Sequence, residues 1–217
     1  LATALERLVQ WHEALRTRFV SEEGEFHQEI LEQAPVALQV SEIAPGSDAE
    51  ARLREQVEAE LRAPFDLLDG ALLRARLFRL GEQEHVLTLC MHHIVSDGWS
   101  GQVLVGEFVQ FYQAAVAGQA AQLPGLPIQY ADYAIWQRSW LEAGEAERQL
   151  AYWKEQLGGE QPVLELPTDR PRPSQPSWRG GRVQIELGQS LGQDLKHLAR
   201  QQGVTLFMLL LASLQTL

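Results

Sequence analysis

Apolar positions along this 217-residue chain recur with two different periods, and the alternation between them outlines the elements. Leu1, Leu5, Leu8, Leu15 and Phe19 fall at near-helical spacing and predict a helix over 1–19. A turn at Ser21-Glu22-Glu23-Gly24-Glu25 follows. Strands are expected over Phe26–Leu31 and Val36–Ile43, the second bounded by Pro35 and by Pro45-Gly46. Ser47 and Asp48 can cap a helix that presents Leu53, Val57 and Leu61 on one face and stops before Pro64. From Leu72 to Leu80 the period is two, with Leu73, Ala75 and Leu77 on one side and Arg74 and Arg76 on the other. Gly81-Glu82-Gln83-Glu84 turns this strand back into a second, His85 to Met91, as a hairpin. Leu104, Phe108, Phe111, Tyr112 and Ala115 return to helical spacing over 99–117.

Beyond a loop at 118–127, helices are expected at 129–142 and 145–157, on either side of Gly144. Residues 158–181 are rich in proline and glycine and read as an ordered connector. A short strand over Val183–Leu187 and helices near 189–202 and 204–217 complete the pattern. Strands and helices mix without a strict βαβ rhythm. The fold class is therefore α/β or α+β, with a mixed sheet and flanking helices.

Composition narrows the partners. The formal charge is −11, from 18 basic and 29 acidic residues, with no basic cluster, which argues against nucleic acid. With 45% hydrophobic and 22% charged residues the chain reads as globular, and no apolar stretch is long enough to span a bilayer, so no membrane partner is expected. Its one cysteine, Cys90, permits no intrachain disulfide and fits a reducing, cytoplasmic setting. Cys90 lies inside a predicted strand and is expected to act as a small buried hydrophobe.

The candidate chemistry lies where the second hairpin strand gives way to a helix, in His92-His93-Ile94-Val95-Ser96-Asp97-Gly98. A rigid strand-to-loop-to-helix step is a usual mount for a reactive side chain. If the strand persists through both histidines they point to opposite faces, one into a cleft and one into the packing beneath it. Asp97 can orient an imidazole or pair with a cation, and Gly98 permits a close approach. A zinc site is disfavoured, since adjacent histidines on opposite faces do not share an ion and there is neither an HExxH pattern nor a cysteine pair.

These residues resemble the HHxxxDG motif of nonribosomal peptide synthetase condensation domains. Trp11-His12-Glu13-Ala14-Leu15-Arg16-Thr17-Arg18-Phe19 is similar to that family's RHExLRTxF motif, with Trp11 in place of the usual arginine. Pro64-Phe65-Asp66-Leu67 with Gly70 to Arg74, Tyr130 to Gln137, Tyr152-Trp153, Leu166 to Pro173 and Arg179-Gly180-Gly181 match further motifs in the family's order. The resemblance implies a chloramphenicol-acetyltransferase-like fold in which two lobes face each other. Residues 1–170 would be the N-terminal lobe, incomplete at its start, and 171–217 a connector and the truncated start of the C-terminal lobe. Both chain ends fall inside amphipathic patterns, so a fragment is expected, inactive when isolated because the family's site lies between two lobes.

The implied activity is amide formation between a carrier-bound acyl or peptidyl thioester and the α-amine of a carrier-bound aminoacyl acceptor. His93 is the implied catalytic residue, as general base or as a group that positions the amine. His92 is assigned to structure, Asp97 to orienting the loop through an arginine, Arg16 to that pairing, and Gly98 to keeping room in a narrow passage. No cofactor or metal is expected on the domain itself; the substrates ride on phosphopantetheine arms. The implied partners are donor and acceptor peptidyl carrier domains and an adjacent adenylation domain. Trp99, Tyr133, Trp136 and Trp153 are read as core aromatics. Competing readings are an acyltransferase of the same fold using coenzyme A or carrier thioesters, an epimerisation domain, and a catalytically silent lobe that docks carriers.

Overall fold

A computed structural model describes residues 1–34, 36, 38–161, 167–177, 180–181 and 183–216. The chain divides into two compact units, Leu1–Gln161 and Pro162–Leu217.

In the first unit, helix α1 (Ala2–Trp11) is followed by a single 3-10 turn (Glu13–Arg16) and then by a hairpin, β1 (Thr17–Glu22) and β2 (Glu25–Ile30). The helix expected over 1–19 is thus corrected: it ends at Trp11. His12 adopts extended angles (φ −107°, ψ 110°), and Thr17, Phe19 and Val20 are β-branched or aromatic residues that suit the pairing Thr17↔Ile30 through Glu22↔Glu25. Only Leu1, Leu5 and Leu8 belong to the helical stripe; Leu15 is buried from the 3-10 turn.

Strand β3 (Leu38–Glu42) leads through helix α2 (Ala49–Arg62) to β4 (Leu73–Arg79), which lies parallel to it, and β5 (His85–Met91) pairs antiparallel on the other side. The order β3-β4-β5 makes the expected mixed sheet. Pro35 and Ala37, at the start of the expected 36–43 strand, lie outside the described residues. Asp48 stands at the start of α2 without accepting a capping hydrogen bond from its side chain; it pairs with Arg52 at 3.3 Å instead.

The core forms between α1, β4 and helix α3 (Ser100–Val116). Ala4, Leu5, Leu8 and Val9 meet Leu104, Phe108 and Phe111 over Leu73 and Ala75, with Leu87, Leu89 and Met91 of β5 packed against them. The period of two in β4 holds. Leu73, Ala75 and Leu77 are buried, while Arg74 and Arg76 both reach Glu60 of α2. Cys90 is buried, and that burial pushes its thiol up from its ordinary pKa, with Glu60 adding to the shift and Arg74 opposing it. It behaves as the expected small hydrophobe. Leu61 is 64% exposed, so the apolar face of α2 is shallower than its periodicity suggests.

Helices α4 (Tyr130–Trp140) and α5 (Ala146–Leu157) are joined by one wide turn in which Gly144 has φ 105°, where a break was expected. In the second unit, α6 (Gln189–Gln201) and α7 (Leu206–Gln215) match the two predicted helices, and Thr205 Oγ1 caps α7 by accepting from the Met208 backbone N–H at 3.2 Å. The strand expected over Val183–Leu187 is absent among the described residues. Val183 and Ile185 are 87% and 79% exposed, and an extended segment becomes a strand only when another strand satisfies its backbone. Leu166 and Arg179, parts of the quoted motifs, lie outside the described residues.

The core assignment predicts that Leu8→Ala lowers stability by about 2–5 kcal/mol, while Leu61→Ala changes it by less than about 0.5 kcal/mol. Urea unfolding of the two variants measures both, and equal losses would contradict the assignment.

Candidate active site

Strand β5 stops at Met91, so the two histidines do not stand on opposite faces of a strand, as its continuation would require. One further ladder bond is made, from the His92 backbone N–H to the Leu72 carbonyl at 3.1 Å. A turn then closes from the Val95 N–H to the His92 carbonyl at 3.1 Å. The chain bends here because His92 is fastened on every side. Its Nδ1 accepts from the Ile94 N–H at 3.0 Å, and its carbonyl also accepts from Ser96 Oγ at 3.1 Å. Its ring meets Phe65 edge-on, with centroids 5.8 Å apart. An accepting Nδ1 leaves Nε2 to carry the proton of the neutral ring.

Phe65 is itself held from behind. The Arg74 guanidinium lies 3.9 Å from its ring centroid and donates to the carbonyls of Glu60, Ala63 and Pro64 at 2.7–2.9 Å and to Glu60 Oε1 at 2.9 Å. These bonds satisfy the last carbonyls of α2 and fix the Pro64-Phe65-Asp66-Leu67 segment. Gly70 ends that segment with φ 71°, where an added Cβ would come within 2.7 Å of Leu31, so the backbone there demands glycine.

At the far end of the histidine turn, Asp97 Oδ1 accepts from the Trp99 N–H (3.0 Å), the Ser100 N–H (2.8 Å) and Ser100 Oγ–H (2.6 Å). Ser100 Oγ in turn accepts from the Asp97 N–H at 3.1 Å. Asp97 thereby caps the start of α3. Its carboxyl is lowered below the usual range, first by the Ser100 hydroxyl and backbone bonds, then by the Trp99 N–H and the charge of nearby His93.

The expected pairing of Asp97 with Arg16 is corrected. Arg16 Nη1 donates to the Leu31 carbonyl at 2.5 Å, and Nη2 lies 3.5 Å from Glu13 Oε1. Its Nε is buried without a partner among the described residues. The aspartate is claimed by the local backbone donors of a helix start, and the guanidinium by the end of β2. Gly98 has no left-handed φ, and a Cβ there would meet nothing within 4 Å, so neither strain nor crowding within this chain requires glycine.

His93, between these two fastened ends, is exposed and lines a cleft of about 510 Å³ together with Glu13, Phe19, Ile30, Asp97 and Tyr130. Of these, sequence reasoning singles out only His93 and Asp97. The wall carrying Glu13 and Tyr130 is set by Gln129, whose Oε1 accepts from the Glu13 N–H at 3.1 Å and whose Nε2 donates to the Trp11 carbonyl at 3.1 Å. The Gln129 N–H donates to Asp132 Oδ2 at 2.9 Å, a helix-start arrangement whose polar residue followed by an acid three positions on was legible in the sequence. His12 Nε2 contacts Glu107 Oε2, fixing the end of α1 to α3.

The four aromatics read as core are surface residues in the described chain: Trp99 is 81% exposed, and Tyr133, Trp136 and Trp153 are exposed as well. On α4 the rings meet one another along the helix, Tyr133 tilted against Trp136 at 5.6 Å and Trp136 stacked on Trp140 at 5.7 Å. Trp11, where the motif usually has arginine, packs edge-on against Phe111 at 6.2 Å. Among the described residues no three His, Cys, Asp or Glu side chains gather in a way that could hold a metal ion, and no helix is long and apolar enough to cross a membrane.

Comparison with known proteins supplies the family. The family model described as "Condensation domain" matches residues 1–217, and the chain belongs to that family. A linear gramicidin synthase of Brevibacillus parabrevis is 44% identical over 217 residues, covering 99% of this chain and 3% of the relative. Among solved structures, the X-domain from teicoplanin biosynthesis is 33% identical with a TM-score of 0.76, covering 94% of this chain and 45% of that one. The condensation domain from monacolin K polyketide synthase MokA, at 23% identity, shows the fold alone, with a TM-score of 0.79 over 94% of this chain and 47% of that one. The expected mixed α/β fold of the chloramphenicol-acetyltransferase-like type is borne out. The chain spans a few per cent of the gramicidin synthase and about half of each of these solved structures.

A carboxyl whose folded pKa lies below its ordinary value of 3.8 stabilises the fold above that value, and loses the contribution as pH falls through the lowered one. Asp97→Ala is therefore expected to melt below wild type at neutral pH, with a gap that narrows in acid below the ordinary carboxylate range. A gap independent of pH in thermal melts would contradict the ionised cap.

Proposed function

We propose that the complete condensation domain containing this chain joins two carrier-bound substrates within a nonribosomal peptide synthetase. The observation that carries the reading is an exposed His93 in a cleft, on a turn fastened at His92 and Asp97, in a chain of this family. The acceptor's α-amine attacks the donor's thioester carbonyl, the C–N bond forms and the C–S bond breaks. The sulfur leaves as a thiol, so that the amine's proton is balanced by the thiol's. Such an amine has a pKa of about 7.7–8.0 and is partly unprotonated at neutral pH, and a thioester is an activated acyl group. Orientation can then supply much of the acceleration. A neutral imidazole at His93 receives the amine's N–H, as a hydrogen bond or as the proton itself.

His92 holds the turn and Asp97 holds the helix that follows. Arg16 supports the wall of the cleft through Leu31 and Glu13, and Gly98 keeps the approach to the cleft clear. We assign residues 1–170 to the N-terminal lobe and 171–217 to the connector and the start of the C-terminal lobe. The substrates arrive on phosphopantetheine arms of donor and acceptor carrier domains, with an adenylation domain adjacent, and no cofactor is held by the domain itself. The lone thiol fits a reducing compartment, the cytoplasm.

Because nothing among the described residues requires glycine at 98, the reading predicts that Gly98→Leu leaves the melting temperature unchanged while amide formation falls about a hundredfold, the loss expected when substrate is displaced by about 1 Å. Single-turnover assays with loaded donor and acceptor carriers measure it. Full activity in the variant would contradict an approach past Gly98, and acyl transfer to free small amines from coenzyme A would favour the acyltransferase reading instead.

A further inference from the structure

We propose that Glu13 binds the acceptor in its ammonium form and delivers it to His93. The inference rests on the function proposed above and adds the residue that selects for a charged nucleophile. The residues lining the cleft include two carboxylates, Glu13 and Asp97, and neither lysine nor arginine among the described residues. Asp97 is occupied by the start of α3, whose donors converge on its Oδ1. Glu13 differs. Its backbone is clamped on both sides, the N–H by Gln129 Oε1 at 3.1 Å and the carbonyl by Thr17 Oγ1 at 2.8 Å. Its side chain is 30% exposed, and among the described residues its carboxylate has only Arg16 Nη2 near it, at 3.5 Å, longer than a good charge-assisted hydrogen bond. That guanidinium spends Nη1 on the Leu31 carbonyl and leaves Nη2 beside one Glu13 oxygen, Oε1. The backbone position of Glu13 is therefore fixed, and the carboxylate of this cleft-lining residue keeps unused acceptor capacity.

The chemistry of the acceptor supplies the reason for such a group. At neutral pH an α-amine with a pKa of about 7.7–8.0 is present in substantial part as ammonium. A cleft that bound only the free base would draw on the remainder. An ammonium has three donors and no acceptor, so a carboxylate with free lone pairs is its natural partner. Once held, it lies in the same cleft as the neutral His93 imidazole, which takes one proton to free the amine's lone pair and later releases it to solvent; the amine's second proton is balanced by the departing thiol. A neutral α-hydroxyl acceptor gains nothing from the charge.

The test compares wild type with Glu13→Gln in the complete condensation domain, using acceptor carriers loaded with an aminoacyl thioester or with the matching α-hydroxyacyl thioester, at saturating donor carrier. Glu13→Gln keeps the size and shape of the side chain and the backbone clamps. The expected result is a rise of about tenfold in KM for the aminoacyl acceptor with kcat little changed, the signature of lost charge-assisted binding, and an unchanged KM for the hydroxyacyl acceptor. Glu13→Asp is expected to recover part of the loss. Equal effects on both acceptors, or none on either, would assign Glu13 to the scaffold and overturn the proposal while leaving the proposed function intact. No amide from wild type would overturn the function and the role of Glu13 together.

Discussion

The Arg74 guanidinium is the contact on which the geometry of the site depends. It projects from the polar side of β4, satisfies three carbonyls and a carboxylate at the end of α2, and lies against Phe65. Phe65 supports the ring of His92, and His92 sets the turn that presents His93. The two partly buried bonds, both to Glu60, are charge-assisted and contribute about 1.5–3 kcal/mol each. The exposed helix pairs such as Arg54–Glu50, whose side chains are 71% and 85% exposed, contribute about 0–1 kcal/mol. The difference explains why a strand-borne arginine, rather than the more numerous surface ion pairs, organises the site.

The histidine turn is fastened at both ends and free in the middle. His92 is tied through its ring, its N–H and its carbonyl; Asp97 is tied to the first turn of α3. His93 carries no comparable structural duty and is exposed to a cleft whose opposite wall Gln129 holds in place. An imidazole fixed by its backbone and unspent in its side chain is what a positioning or proton-accepting role requires. Gly98 and Gly70 make the parallel contrast. The backbone demands glycine at 70, whereas at 98 the described residues leave open space where a Cβ would stand.

Much of the fold was legible because its periods are clean. The alternation in β4 separates Leu73, Ala75 and Leu77 from Arg74 and Arg76, and the helical stripe of α3 buries Leu104, Phe108 and Phe111 as its spacing implies. The reading failed where a period continued by coincidence. Leu15 and Phe19 extend the helical spacing of α1, but the β-branched and aromatic residues from Thr17 to Val20 pair with a neighbouring strand, which periodicity cannot register. Val183 to Leu187 has the composition of a strand but pairs with no strand among the described residues. In the site, the histidines and Asp97 were legible from their motif. The Arg16–Asp97 pairing was not, because local backbone donors outcompete a distant guanidinium for one carboxylate. Glu13 and Tyr130 stand in the quoted motifs and Gln129 at a predicted helix start, but their place beside His93 was not legible, because it depends on elements more than a hundred residues apart in the chain.

The central claim is that the exposed imidazole of His93 serves amide formation between two carriers. Intact-protein mass spectrometry of loaded donor and acceptor carriers, incubated with the complete domain as wild type and as His93→Ala, tests it most directly. The account predicts that the donor's acyl mass appears on the acceptor carrier with wild type and nearly vanishes with the variant, while both proteins melt alike. Equal transfer by the two would contradict it.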